Sequence, residues 1–393
     1  MNANWQTFVE NGLPSRKNEN WKYDDIHFLA DKKFISAKKI NIDNNIEDVL
    51  HHHRLRSGDG ILLVMVNGYF MRELSDIAKL PQDVIAINIK DAREIQHDTV
   101  DAKKYPFAKL NETEFSDGLF LKIPDDCKIT SPIHLLSLSI NEDNFIACPR
   151  NVIMLGKNSE IIFLEEYFSS TQDSYLMNVV TSIYLEEQSS CHHYKIQCEG
   201  KQAAHIANHF VHQQQNSYFS HMNFSCGGKF ARDDVVVKLL QPGASCKTSG
   251  FYHLHDNQQT IDNHVDIHHQ APLSQSEMLY KGIMENQSRA IFNGRLHVEK
   301  DAQKITAYQA NHNLLLSKEA EVYSKPELEI YADDVKCKHG ATTGQLDEDA
   351  LFYMRSRGIS QDEAQSILLQ GFAEEIISRI SHEGIRMRVQ ESL

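Results

Sequence analysis

Between about Leu119 and about Ile330 the apolar residues fall in short runs of strand length, with almost nothing at helical spacing. Examples are "FLKI", "IHLLSLSI", "NVIMLG", "EIIFLEEYF", "TSIYLE", "HHYKIQC", "DVVVKLL", "HVDIHH" and "RLHVE". Polar turns that carry a small residue separate them: "GKNSEI", "EEQSSC", "QQQNSY", "QPGASC", "QAPLSQ" and "EKDAQK". The small residues Ser159, Ser190, Ser217, Ser245, Ser274 and Ala302 recur every 27 to 31 residues. A repeat of this length is one strand-turn-strand unit that buries its inner face against its neighbours. With no helices to cover parallel strands, the simplest solution is a β-helix; a two-sheet antiparallel sandwich is the competing arrangement.

The flanks read differently. Near the start Trp5, Phe8 and Val9 keep helical spacing, "GILLVMVNGYF" reads as a buried strand with a turn, and "PQDVIAINIKDAREI" as a strand leading to a helix. After "GATTGQL" the pattern becomes helical. "DEDALFYMRSRG" opens on acids that suit a helix N-terminus and stops at Gly358. "SQDEAQSILLQGFAEEIISRI" follows, with Ser360 and Glu363 in capping-box spacing. Ala364, Ile367, Leu368, Gly371, Phe372, Ile376 and Ile380 then form one stripe, on which Gly371 lets another backbone come close. This stripe either packs on its own domain or docks a partner, and the short helical tail, with little core of its own, tips the reading towards a partner. The predicted architecture is mainly β: an N-terminal helical or mixed domain over 1–115, a parallel β-helix (solenoid) core over 116–345 and a C-terminal helical domain over 346–393.

Charge narrows the partners. The 393 residues carry 54 acidic against 40 basic side chains, a formal charge of -14. That argues against a nucleic-acid backbone or an anionic membrane surface and favours a metal ion, a cofactor or a protein. The start lacks the basic and apolar regions of a secretory signal, and no run approaches 18 uncharged apolar residues, so a cytoplasmic location is expected. Seven cysteines, Cys127, Cys148, Cys191, Cys198, Cys226, Cys246 and Cys337, show neither C-x-x-C nor zinc-finger spacing, so most are expected to be free, reduced thiols.

Three stretches carry candidate chemistry. In "IDNHVDIHH" the alternation puts Asp262, His264, Asp266 and His268 on one face, either a solvated stripe or, in a cytosolic carbohydrate-active β-helix enzyme, a catalytic cluster using Asp262 and Asp266. "GFYHLHDNQQ" holds His253-x-His255 but lacks the glutamate of a cupin-type metal site. No G-x-x-x-x-G-K-[ST] loop is present, so the chain does not bind ATP in the Walker manner. The third stretch is "DDVKCKHGATTGQL". Leu328 and Ile330 share a face of the preceding strand, and after a turn or bulge at Ala332 to Asp334 the parity shifts. Val335, Cys337 and His339 then share the packed side, and Lys336 and Lys338 the wet one. A thiol and an imidazole about 7 Å apart along a strand suit iron or zinc. They are only two ligands, and the pattern alone favours a structural Cys and His.

The block "NLLLSKEAEVYSKPELEIYADDVKCKHGATTGQLDEDALFYMRSRGISQDEA", followed by "LLQGFA", resembles the C-terminal signature of the SufB/SufD family of iron-sulfur cluster assembly proteins; "PSRKNENWKY" resembles its N-terminal motif. "CKHGATTGQ" and the chain length look closest to the SufD branch, and the cysteine that accepts sulfur in SufB has no clear counterpart. The resemblance implies a right-handed parallel β-helix between helical domains and a non-catalytic assembly subunit. It implies pairing with a SufB-like subunit through the β-helix end, or a homodimer in isolation. A SufC-like ABC ATPase is expected on the C-terminal helices, where the stripe Ile367, Leu368, Gly371 and Phe372 matches the docking region, and ATP hydrolysis in that partner. His339 matches the SufD-type histidine at the shared interface, a metal ligand for a transient iron-sulfur cluster, with Cys337 as its neighbour; reduced flavin is a further cofactor at the level of the complex. A purely structural adaptor is the remaining alternative.

Overall fold

The computed structural model describes residues 2–40, 45–93, 95, 100–140, 143–170 and 172–392. The repeat resolves into a two-sheet parallel solenoid in which successive strands alternate between the sheets. One sheet contains Leu119–Ile123, Arg150–Leu155, Leu176–Leu185, Ala204–Gln213, Phe230–Leu239, Thr260–His269, Arg289–Val298 and Glu321–Ile330. The second contains Lys128–Ser139, Glu160–Ser169, Ser190–Cys198, Tyr218–Ser225, Ser245–Leu254, Gln275–Met284, Ile305–Leu315 and Val335–Gly344. All neighbours within these two rows pair in parallel, which excludes the antiparallel sandwich.

Each coil turns one corner in the same way. Asn158, Gln188, Asn216, Gly243 and Leu273 adopt positive φ, and the residue after each, Ser159, Ser189, Ser217, Ala244 or Ser274, is buried. The four serines donate their hydroxyls to the carbonyl three residues back, as Ser189 does to Glu186 at 2.7 Å. The corner residue that packs is thus Ser189 and Ala244, one position before the Ser190 and Ser245 picked out by spacing, because the left-handed residue ends the turn one step sooner.

Inside the coils, side chains of alternate residues interdigitate. In Phe230–Leu239 the inner positions are Ala231, Asp233, Val235 and Val237, while Phe230 and Val236 pack against outer layers. Tyr280 lies over Gly250 of the previous coil and Tyr252 over Gly282 of the next; a Cβ at either glycine would stand inside the neighbouring ring. Cys198 and Cys226 follow the paired residues Gln197 and Ser225 at the ends of adjacent strands, with Cα atoms 5.4 Å apart, and form a disulfide. Five cysteines are free, so the expectation of mostly free thiols holds for them and fails for this pair, which the coil repeat stacks within bonding range.

The N-terminal residues close the start of the solenoid and one of its outer faces. Ile61–Val66 extends the second sheet in parallel, and Ile85–Asn88 caps the first antiparallel; a 3-10 turn, Ile89–Asp91, follows the latter in place of the expected helix. The polar motif around Trp21 is a clamp on the first sheet. Arg232, fully buried, stacks its guanidinium 3.9 Å from the Trp21 ring and pairs with Asp24 at 2.8 Å, Asp234 at 2.8 Å and Asp262 at 2.6 Å. The outer face of the second sheet is covered by the C-terminal helices Gln361–Ile377 and Glu383–Ser392. Buried Glu166 ties them down, accepting from Arg388 Nε at 2.9 Å and meeting His53 at 2.7 Å and His134 at 3.0 Å. Burial opposes its ionisation, but the hydrogen bonds from His134 and His53 outweigh that and hold its carboxyl well below the usual range.

Candidate functional site

Whereas the first coil is capped, the last is open. Both sheets end on strands that pair on one side only, Glu321–Ile330 and Val335–Gly344. Their free edges differ in chemistry. The first carries Lys325, Pro326, Glu327 and Glu329, the residues that discourage strand addition; the second, beyond Lys336 and Lys338, is the uncharged run Gly340 to Gly344.

Cys337 and His339 lie on this second edge. The parity shift before them is a turn: residues 331–334 form the corner between the two sheets, and Ala332 is buried there in the lumen core. Val335 and Cys337 are half-buried and packed on that core. His339 pairs in register with Gln309, which is buried, so it shares the inward side, yet it is exposed because no coil follows. Burial pushes the Cys337 thiol up, away from the thiolate a metal requires. Among the described residues, no third histidine, cysteine or carboxylate gathers with these two. The imidazole thus stands exposed at the open rim, while the thiol two residues before it packs on the core.

The four residues assigned to partner docking divide. Ile367 is 40 % exposed, Leu368 is half-buried, and Gly371 is exposed with open space where a side chain would stand. Phe372 is half-buried on its own chain, where the Lys281 ammonium sits 3.9 Å from its ring centroid and also pairs with Glu375 at 2.8 Å. The side of the helix that docks internally is Ala364, Ala373, Ile376 and Ile377, continued by Ile380. Ser360 caps this helix by accepting from the Glu363 N–H, as its spacing predicts. The preceding helix, Glu348–Ser356, buries no residue and exposes Phe352 at 73 % and Tyr353 at 60 %.

The stripe "IDNHVDIHH" is neither solvated nor catalytic in arrangement. Asp262 is fully buried between Arg232 and His264, and Asp266 is held by Lys104 at 2.6 Å and His268 at 3.0 Å. Both carboxylates are spent on fixing N-terminal residues to the sheet, and the covering segment, remote in sequence, is what the local alternation does not reveal. His253 meets Glu285 at 2.9 Å. Sequence reading also missed the Glu166 node and a His/Glu/Asp cluster inside the solenoid.

Comparison with known proteins places this architecture. The model of the SUF system FeS cluster assembly SufBD core domain matches residues 138–372, and that of the SufBD protein N-terminal region matches residues 2–135. The chain belongs to the SufB/SufD family of iron-sulfur cluster assembly proteins. It is 29 % identical over 388 residues to the iron-sulfur cluster assembly protein SufD of Escherichia coli, covering 98 % of this chain and 89 % of that one. A SufBD family protein of Synechocystis is 29 % identical over 396 residues, with 96 % and 86 % covered. The chloroplastic protein ABCI7 of Arabidopsis thaliana is 33 % identical over 288 residues, 71 % of this chain and 60 % of its own. As in the sequence-based expectation, the fold is mainly β, a parallel solenoid with helices at both ends. No described helix is long and apolar enough to cross a membrane.

Proposed function

We propose that this chain is a SufD-type, non-catalytic subunit of an iron-sulfur cluster assembly complex, pairing through the open coil with a SufB-type subunit and holding a SufC-type ABC ATPase on its C-terminal helices. The observation that carries the reading is the last strand: an uncharged, one-sided edge beside an imidazole and a thiol with which, among the described residues, no third ligand gathers. A partner strand added to Gly340–Gly344 would extend the second sheet and bring its ligands against His339. His339 is the primary ligand for iron or the nascent cluster, and Cys337, whose thiol is pushed up by burial, is the auxiliary one. Imidazole binds only when neutral, which suits a site that is filled and emptied. Without the SufB-type subunit the same edge is free to pair with a second copy of this chain. ATP hydrolysis belongs to the ATPase, since this chain has no Walker loop.

The test is co-purification with SufB-type and SufC-type partners of an Ala341→Glu/Thr343→Glu double variant. These positions share the parity of His339, and buried like charges on a terminal strand oppose pairing. The expected result is loss of the SufB-type subunit with the ATPase retained; recovery of both at wild-type levels would overturn the interface.

A further inference from the structure

Midway along the solenoid, several coils from the rim, the inner faces of the two sheets bring together residues that the function above does not use. Glu165 lies on Glu160–Ser169, His193 on Ser190–Cys198, His221 on Tyr218–Ser225, His209 on Ala204–Gln213 and Asp233 on Phe230–Leu239. All five are buried, with relative exposures of 0 to 3 %. Glu165 Oε2 lies 3.3 Å from His193 Nε2 and 3.9 Å from His209 Nδ1, and the three ligand atoms fall within 4.8 Å of one another. None of these three atoms has a hydrogen bond, and His209 Nε2, His221 Nε2 and Asp233 Oδ2 beside them have only looser contacts. The other Glu165 oxygen is occupied, accepting from Thr181 at 2.8 Å and Asn151 at 3.3 Å.

The contact between two imidazoles limits the tautomers this centre can hold. His193 Nδ1 and His221 Nδ1 are 3.0 Å apart and share one proton. In a neutral pair, whichever ring donates it has a bare Nε2, and both Nε2 atoms face carboxylates: His193 towards Glu165, His221 towards Asp233 at 3.5 Å. One bare nitrogen therefore confronts a carboxylate oxygen in either tautomer. One assignment turns every remaining N–H towards an acceptor and leaves both bare nitrogens facing Glu165. His209 Nε2–H points to Asp233 Oδ1 at 3.1 Å, His221 Nε2–H to Asp233 Oδ2, and His193 Nδ1–H to His221, while Lys195 holds Asp233 Oδ1 at 2.9 Å. The bare His193 Nε2, His209 Nδ1 and Glu165 Oε2 then converge. An imidazole backed by a carboxylate, as His209 is by Asp233, is the usual setting of a protein metal ligand.

We propose that Glu165, His193 and His209 form a mononuclear site for a borderline divalent transition metal, such as Fe2+, Zn2+ or Co2+, inside the solenoid. Two imidazoles and a carboxylate are a common donor set for these ions; tetrahedral bonds of about 2.0 to 2.1 Å place donors about 3.3 Å apart, a spacing Glu165 and His193 already have and to which His209, 3.9 Å from Glu165, would close. The ligands come from three coils and are enclosed by their neighbours, so the ion is loaded as the coils stack and is held against chelators. The site stands independently of the rim: its ligand strand Ser190–Cys198 lies five strands of the second sheet from Val335–Gly344, about 24 Å at the usual strand spacing.

The full chain, produced in Co2+-supplemented minimal medium and washed with EDTA, tests this. About one Co2+ per chain is expected, with X-ray absorption at the cobalt edge showing two imidazoles and oxygen donors without sulfur. A chain free of bound metal, or thiolate in the shell, overturns the assignment with no variant needed. Glu165→Gln and His209→Asn are each expected to lower the cobalt content at least tenfold, while His339→Ala and Cys337→Ser keep it. Full retention in folded lumen variants, or loss in His339→Ala, overturns it equally; failure of His339→Ala in cluster assembly bears only on the rim.

Discussion

His339 and Cys337 share a strand face but not an environment. The imidazole stands at the mouth of the coil, exposed, whereas the thiol is half-buried on the lumen core and pushed up by that burial. Cys337→Ser is therefore expected to retain most of the cluster yield that the assembled complex reaches on iron and sulfide addition. A loss as complete as that of a histidine variant would make the thiol a primary ligand. Glu166 governs a different property. Its carboxyl is held below the usual 4.5 in the folded chain, so ionisation favours folding. That contribution is present in full above about pH 4.5 and is lost as pH falls towards the folded value. Urea unfolding between about pH 5.5 and about pH 3 should show the midpoint dropping on acidification, and Glu166→Gln should flatten that fall; equal slopes would contradict the role. Arg388→Ala, which strands a buried carboxylate, should cost about 3 to 5 kcal/mol by the same measurement.

At the scale of elements, the strand texture was legible because a two-sided sheet writes its inner and outer faces into alternate residues, as in "IDNHVDIHH". The corner was legible to one residue, since spacing alone does not show which backbone position turns left-handed. The C-terminal stripe was legible only in part. Periodicity marks an apolar helix side, but Ala373, Ile376 and Ile377 bury against the chain's own sheet while Ile367 remains exposed, and one stripe cannot name two different neighbours. Phe372, packed under Lys281, is consequently a poor probe of docking. Ile367→Asp, with Phe352→Asp on the helix before it, is expected to abolish co-purification of the ATPase with little change in the chain's own melting temperature; undiminished recovery would place the ATPase elsewhere. Within the solenoid, Gly282→Ala sets a methyl group inside the Tyr252 ring and should destabilise by about 1 to 3 kcal/mol, which denaturant unfolding reads directly.

Across the whole molecule, closure at one end and exposure at the other make the solenoid directional. The N-terminal residues cap the first coil and, through Trp21, Asp24 and Arg232, clamp one outer face; the C-terminal helices, through Glu166 and Arg388, cover the other. The final coil leaves the edge of Val335–Gly344 unpaired beside His339 and Cys337. None of this long-range closure was visible from local pattern, because Arg232 and Trp21, or Glu166 and Arg388, lie more than two hundred residues apart. The central claim, a cluster site shared across that edge, is tested most directly by anaerobic iron and sulfide reconstitution of the full chain, alone and with its SufB-type and SufC-type partners, followed by visible absorption. Cluster bands that appear only in the complex and are lost with His339→Ala, while complex formation is intact, are the predicted result. Equal cluster yield from the wild-type and His339→Ala complexes would contradict it.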